Sequence, residues 1–421
     1  MLSPFDEIVK QMGLQDPKML KNISNWARSS QIFASDKIIE YGLPTRRDEY
    51  WSYTRPDPFL APKAPINVNS SKEIDVFSNL FGSVINYKNG LLKTNPLPSC
   101  SNYSAESLDQ SVRMKQHWAS TVYGKLEAKG QEPVRRSLAA LNTATASQGI
   151  FLRAKKHVEK PVVINAIFNN DTDAMIHHVI KVEPGAEITL IETGNYGARS
   201  NVVLEIEVAD RGKFNHIRIQ AGDQNHTISH IFGKVGTNSI FKSFTFSSGG
   251  TVTRNECILD LIGEGSSATV AGTCIGDKGF QHDDTVFVTH HAAGCESRQV
   301  FKKVLGNGAV GVFQGKILVK ENAQKTDGYQ ISQSLLLDDD GQFLAKPELE
   351  IYADDVACSH GSTSGAIDEQ ALFYLRSRGV PKAKAVDLLI LSFMAEAIEE
   401  VEEPLLAEAL LQYLTSVLAT R

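Results

Sequence analysis

The chain has 421 residues, 42% of them hydrophobic and 22% charged, enough for two or three domains and a large core. A net charge of -6 argues against a nucleic-acid backbone as partner, and no stretch approaches the roughly 20 apolar residues that span a bilayer. The five cysteines are scattered without a C-x-x-C pair, so they read as reduced thiols of a cytoplasmic protein rather than as a disulfide framework.

The opening MLSPFDEIVKQMG carries Asp6 and Glu7 and no long apolar run, which is not the pattern of a signal or transit peptide. Helical spacing runs to about residue 40 through Phe5, Ile8, Val9 and Met12, then Ile23, Trp26, Ala27, Ile32 and Phe33. GLPTRRDEYWSYT (42–54) follows as a loop in which Tyr50, Trp51 and Tyr53 either pin the N-terminal segment to its neighbours or form a binding surface. Pro56, Pro58, Pro62 and Pro65 make 55–70 an extended connector. Helical spacing returns over 104–147, with Leu108, Val112, Trp118, Val122, Leu126, Leu138 and Leu141.

The texture changes near Gly149. Short apolar runs such as PVVINAIF, EITLIET, NVVLEIEV and ECILDLIG recur, separated by Gly, Asn and Asp, and read as strands. So many short strands suggest a sandwich, a barrel or a solenoid. Strand pairs recurring at about 20 residues and sparse hairpin turns favour the solenoid. So does the spacing of Cys257, Cys274 and Cys295, as if they held equivalent interior positions. On that count there are about ten coils in a rod of order 50 Å, whose unpaired edges need a cap or a partner. The organisation expected is a mostly helical segment over 1–147, a strand-built core over 148–360 and a helical segment over 361–421.

That last segment predicts a helix over Ile367 to Arg378 ended by Gly379. A second opens at Pro381 and a third at Pro404. Their apolar stripes read mostly as core, and the third is also suited to present a face to a partner.

Most motifs reduce to structure. Gly306-Asn-Gly308-Ala-Val-Gly311 matches G-x-G-x-x-G, but a strand follows where a helix is needed, so it reads as a turn. There is no P-loop, H-E-x-x-H or G-x-S-x-G. His282-Asp283-Asp284 and His290-His291 read as structural or solvated, and Asp338-Asp339-Asp340-Gly341 as a polar turn.

Cys358-Ser-His360 stands apart. LEIYADDVACSH reads as a strand, and Gly361-Ser-Thr-Ser-Gly365 as a hinge before the helices. Residues two apart on a strand face the same side, roughly 7 Å from each other. Two readings stay open: an interfacial thiol beside a solvated imidazole, or half of a site for iron, an iron–sulfur cluster or zinc. Such a site has two of about four ligands, so another chain, sulfide or solvent must supply the rest.

KPELEIYADDVACSHGSTSGAIDEQALFYLRSRG, GLPTRRDEYWSYT and SRQVFKKVLGNGAVGVFQGKILVKENAQKTDGYQ resemble, in order, the C-terminal, N-terminal and middle segments of the SufB/SufD family of iron–sulfur cluster assembly proteins, on its SufD side. The SufB side fits less well, since His360 is flanked by Ser359 and Gly361 and no cysteine cluster precedes residue 100. The resemblance implies a right-handed parallel β-helix flanked by N-terminal and C-terminal helical domains. It implies a complex with one SufB and two SufC ATPases, in which this chain is a scaffold that binds no nucleotide. The β-helix edge would pair with SufB, placing His360, with Cys358 adjacent, where a nascent iron–sulfur cluster forms. The C-terminal helices, with Asp368, Glu369, Tyr374, Arg376 and Arg378, would dock SufC and relay its ATP-driven motion. Reduced flavin has been associated with such complexes, but no residue here supports a flavin site. Two rivals remain: a purely structural β-helix partner, and a β-helix enzyme acting on polysaccharide, which would need clustered carboxylates.

Overall fold

The computed structural model describes residues 3–13, 20–65, 77, 80, 82–169, 171–222 and 225–420. Residues 66–70 of the expected proline-rich connector lie outside these. Two sheets dominate. One holds β1 (Ser83–Lys88), β2 (Leu91–Leu92), β5 (Val162–Ile167), β7 (Glu187–Gly194), β9 (Lys213–Gly222), β11 (Ile240–Gly249), β13 (Ser267–Gly276), β15 (Glu296–Leu305), β17 (Thr326–Leu336) and β19 (Val356–Ala366). The other holds β3 (Tyr103–Ser107), β4 (Ile150–Ala154), β6 (Asp173–Val182), β8 (Arg199–Val208), β10 (His226–Val235), β12 (Val252–Leu261), β14 (Gln281–His290), β16 (Val310–Val319) and β18 (Gln342–Ile351).

From β4 onward the chain alternates between the sheets, and every strand pairs in parallel with the strand two ahead. This is a parallel β-solenoid of about seven turns. The coil is longer than the sequence spacing suggested. Asp173 pairs with Arg199 and Val310 with Gln342, so coils take from 26 to 32 residues, not about 20. Seven coils stacked at about 4.8 Å make a rod of roughly 35 Å rather than 50. The cysteines do not hold equivalent positions either: Cys257 lies on β12, Cys274 on β13 of the other sheet, and Cys295 in the turn before β15.

Side chains alternate between a lumen and an outer face. The lumen is filled by Ile164, Ile180, Leu204, Phe214, Leu259, Val288, Phe313 and their neighbours. The outer faces carry apolar clusters too, because helices cover both. α8 (Lys382–Ile398) and α9 (Pro404–Ala419) lay Ile390, Met394, Leu410 and Leu414 on Ile217, Phe244, Phe246 and Val300 of the first sheet. Lys302 reaches Glu396 at 2.5 Å, and Tyr413 meets Phe246 edge-on at 5.4 Å between centroids. Most of the apolar stripe of α9 is therefore spent on the sheet, with Leu405 left exposed.

On the second sheet, α6 (Ser137–Thr145) is buried under α2 (Asn25–Tyr41), with Leu138 and Leu141 in a cluster that includes Ile228 and Val252. Asn142 donates to the carbonyls of Ile176 (3.0 Å) and Asn201 (2.8 Å). α1 (Pro4–Gln11) and α3 (Asp57–Leu60) complete this layer. The helical pattern over 104–147 breaks into α4 (Leu108–Ser111), α5 (Leu126–Lys129) and α6, and begins with strand β3. Gly124, in left-handed backbone against Ser30, and Pro133 interrupt it.

Of the loop aromatics, Tyr50 donates to Glu348 at 2.7 Å and Trp51 lies under the Arg254 guanidinium at 4.4 Å, so these two pin the N-terminal segment to the sheet. Tyr53 is exposed. Gly306–Ala309 is a turn between β15 and β16, with Asn307 and Gly308 at positive φ. No helix among the described residues is long and apolar enough to cross a membrane.

Candidate functional site at the open end of the solenoid

The last coil is β18, a turn and β19. Each of these strands has one sheet neighbour among the described residues, so each leaves an edge of backbone N–H and C=O groups unpaired. The Gly361–Gly365 stretch expected to hinge is part of β19, in unbroken register with β17: Gly361 pairs with Ile331 and Gly365 with Leu335. Turn-forming composition lost to ladder pairing. Ser362 bonds Ser332 at 2.6 Å and Ser364 bonds Ser334 at 2.5 Å, a serine ladder on the lumen face.

Cys358 and His360 share that phase. Cys358 packs beside Ile317, Val319, Leu349 and Val356, half-buried at the mouth of the lumen. Burial pushes its thiol up from the usual value and the charge of Asp327 adds to this, while a hydrogen bond with the Gly328 backbone opposes them. His360 is exposed one step further along. A soft sulfur and an imidazole thus stand together on an open, unpaired end. Among the described residues no cluster of three or more His, Cys, Asp or Glu side chains is arranged to hold a metal ion.

The docking candidates lie just beyond, on α7 (Glu369–Ser377). Asp368 caps it, its Oδ1 accepting from the N–H of Gln370 (2.8 Å) and Ala371 (3.1 Å). Glu369, Arg376 and Arg378 are exposed, and the Arg378 guanidinium lies 5.3 Å from the Tyr374 ring centroid. Gly379, at φ +85°, ends the helix. Sequence reasoning missed Phe373, which is 74% exposed beside Tyr374 at 58% while Leu372 is buried. Two adjacent exposed aromatics on a short helix are a surface that a partner can cover.

Sequence reasoning also missed a buried polar network. Glu192 accepts from Arg218 Nε at 2.9 Å and meets His216 Nε2 at 2.9 Å. Burial alone would raise its carboxyl, but Arg218 and His216 hold it well below the usual carboxylate range. Further along, Lys303 Nζ reaches Asp284 at 2.5 Å and His282 at 2.9 Å. His282 is lifted to about 9 by Asp284 against the opposing effect of burial. Asp283, on the other face, pairs with Arg254. His290 bonds Ser297 at 2.9 Å and His291 bonds Asp260 at 2.7 Å, so neither histidine turns to the other's partner. The triplet and the histidine pair are spent on internal bonds.

Fold and site define a β-solenoid protein, helix-covered on both faces, whose open end carries a thiol and an imidazole side by side. The domain described as SUF system FeS cluster assembly, SufBD core domain, matches residues 165–393, more than half of the chain. The chain belongs to this family of iron–sulfur cluster assembly proteins, and its named relatives put it on the SufD side. The iron–sulfur cluster assembly protein SufD of Escherichia coli is 33% identical over 235 residues, covering 55% of this chain and 56% of that protein. A SufBD family protein of Synechocystis sp. is 26% identical over 404 residues, covering 87% and 86%. SufD of Bacillus subtilis is 26% identical over 277 residues, 62% of each. The chain thus spans little more than half the length of the E. coli relative it matches.

Proposed function

We propose that this chain is a scaffold subunit of a cytoplasmic SufB–SufC–SufD type complex, and that a nascent iron–sulfur cluster forms where its open end meets a SufB-type partner. The observation that carries this reading is a coincidence of place. The two free ladder edges, β18 and β19, frame the lumen mouth that holds Cys358 and His360. A partner strand that satisfies those edges brings its own side chains against the thiol and the imidazole. The cluster is cargo. His360 contributes nitrogen from this chain, Cys358 lies behind it, and the partner supplies the remaining ligands.

α7 is the docking element for a SufC-type ATPase, with Asp368, Glu369, Tyr374, Arg376 and Arg378 on or beside its exposed surface. Because α7 follows β19 directly, a force on α7 acts on the strand that carries the ligands. Nucleotide chemistry belongs to that partner.

The test is His360→Ala in the complex co-expressed with SufB- and SufC-type partners, read by cluster absorbance and by subunit stoichiometry. Loss of cluster with intact assembly is expected. Full cluster yield would overturn the role of the open end and favour the purely structural reading.

A further inference from the structure

In register, His360 on β19 pairs with Gln330 on β17, and Gln330 pairs with Gln299 on β15. All three lie on the lumen phase, because Ser332, two residues along from Gln330, pairs with Phe301 of the lumen core and bonds Ser362 on β19. Gln330 and Gln299 are completely buried, and neither the amide oxygen nor the amide nitrogen of either has a hydrogen-bond partner among the described residues. Buried side-chain amides are nearly always bonded, so such a pair calls for an explanation. The Gln330 amide lies against Gly315 of the opposite sheet: a Cβ at 315 would stand 2.4 Å from its Nε2. Gly315 thus makes room for this side chain, and no bond among the described residues holds the amide where it lies.

We infer that Gln330 is a positioning residue for His360. Rotation about its terminal torsions brings its amide oxygen to the imidazole one coil out, where it accepts the inward ring N–H. That fixes the tautomer and leaves the other nitrogen's lone pair facing out of the open end. A ligating histidine ordinarily needs such a partner for its second nitrogen. The inference rests on the proposed role of His360, and deepens it.

The full chain, with 15N-labelled histidine, tests it. Long-range proton–nitrogen spectra report which ring nitrogen carries the proton, and His360→Ala assigns the signal. One dominant His360 tautomer is expected in the wild type and in Gln330→Glu, which keeps an acceptor of the same reach. A mixture is expected in Gln330→Leu, and in Gln330→Asn should the leucine variant not fold. Gln299→Leu, one coil deeper, should leave the ring unchanged. In the co-expressed complex, Gln330→Leu should lower cluster yield about tenfold, with Gln330→Glu restoring it. An unchanged tautomer in both Gln330→Leu and Gln330→Asn overturns the inference, even where His360→Ala abolishes the cluster. Full cluster yield in His360→Ala overturns the underlying reading instead, and leaves the tautomer result to stand by itself.

Discussion

Cys358 stands in register with Gly328 on the neighbouring coil, and its Sγ lies 3.1 Å from where a side chain at 328 would begin. The glycine keeps the thiol tucked at the lumen mouth. Gly328→Ala should press the sulfur outward, because the Ile317 side chain closes the other side at 3.4 Å. Alkylation of Cys358 is expected to speed up several-fold, measured by mass spectrometry against Cys358→Ser. An unchanged rate would mean that the coil absorbs the extra methyl.

The aromatic pair on α7 separates docking from stability. Phe373 and Tyr374 are mostly exposed, so Phe373→Ala and Tyr374→Ala should shift folding stability by no more than about 0.5 kcal/mol. Affinity for the SufC-type partner proposed above should fall more than tenfold, as truncating an interface anchor does. Calorimetric titration and thermal melts on the same samples would measure both.

Leu414 makes the opposite case. It is fully buried between α9 and the outer face of the first sheet. Leu414→Ala should cost about 2–5 kcal/mol through lost burial and the cavity left behind. A lower denaturation midpoint in urea at unchanged slope is the expected signature.

Arg254 is buried between Glu256, at 2.7 Å, and Asp283, with Trp51 across its face. Removing it strips Asp283 of its cation in a dry site, while Glu256 keeps Arg136 at 2.9 Å. Arg254→Ala should cost about 3–5 kcal/mol. It should also loosen the N-terminal loop, seen as faster proteolysis near residue 50.

Glu127 gives a pH signature. It is fully buried with no cation beside it among the described residues: burial raises its carboxyl to about 8, and the charge of Glu205 adds to this, against a bond from Gln131. Its folded value stands above the unfolded one, so between about 4.5 and about 8 the folded chain keeps a proton that the unfolded chain has lost. Stability from this group therefore declines as pH rises through that window. Glu127→Gln should raise the melting temperature by roughly 2–4 °C at pH 8 and by much less at pH 5. An equal gain at both would rule out ionisation as the cause.

What the sequence disclosed follows from the range of the forces involved. α8 and α9 were legible because apolar spacing, Pro381, Pro404 and Gly379 are local signals. β1 was not, because its ladder partner β5 lies 79 residues away, Ser83 against Val162. Coil length was misread because each coil uses one strand from each sheet, so neighbours in sequence are not neighbours in a ladder. The polar groups of the lumen were missed for a related reason. In KFNHIRIQ, Ile217 and Ile219 face α8 and α9 while His216 and Arg218 face inward. With apolar layers on both sides, alternation cannot say which phase is the inside. Cys358 and His360 were visible as a pair, but their place at the lumen mouth depends on register with β17, which no local pattern carries.

Stacked coils ordinarily fray from their ends, each one held only by the next. Here the polypeptide leaves the terminal coil through α7, returns as α8 across β13 and β15, and reaches β11 where Tyr413 meets Phe246. Peeling β19 away therefore drags the tether off rungs deep in the middle. The exposed tip should melt with the centre in one cooperative step, and those of its amide protons that bond the β17 ladder should exchange as slowly as those of the inner coils.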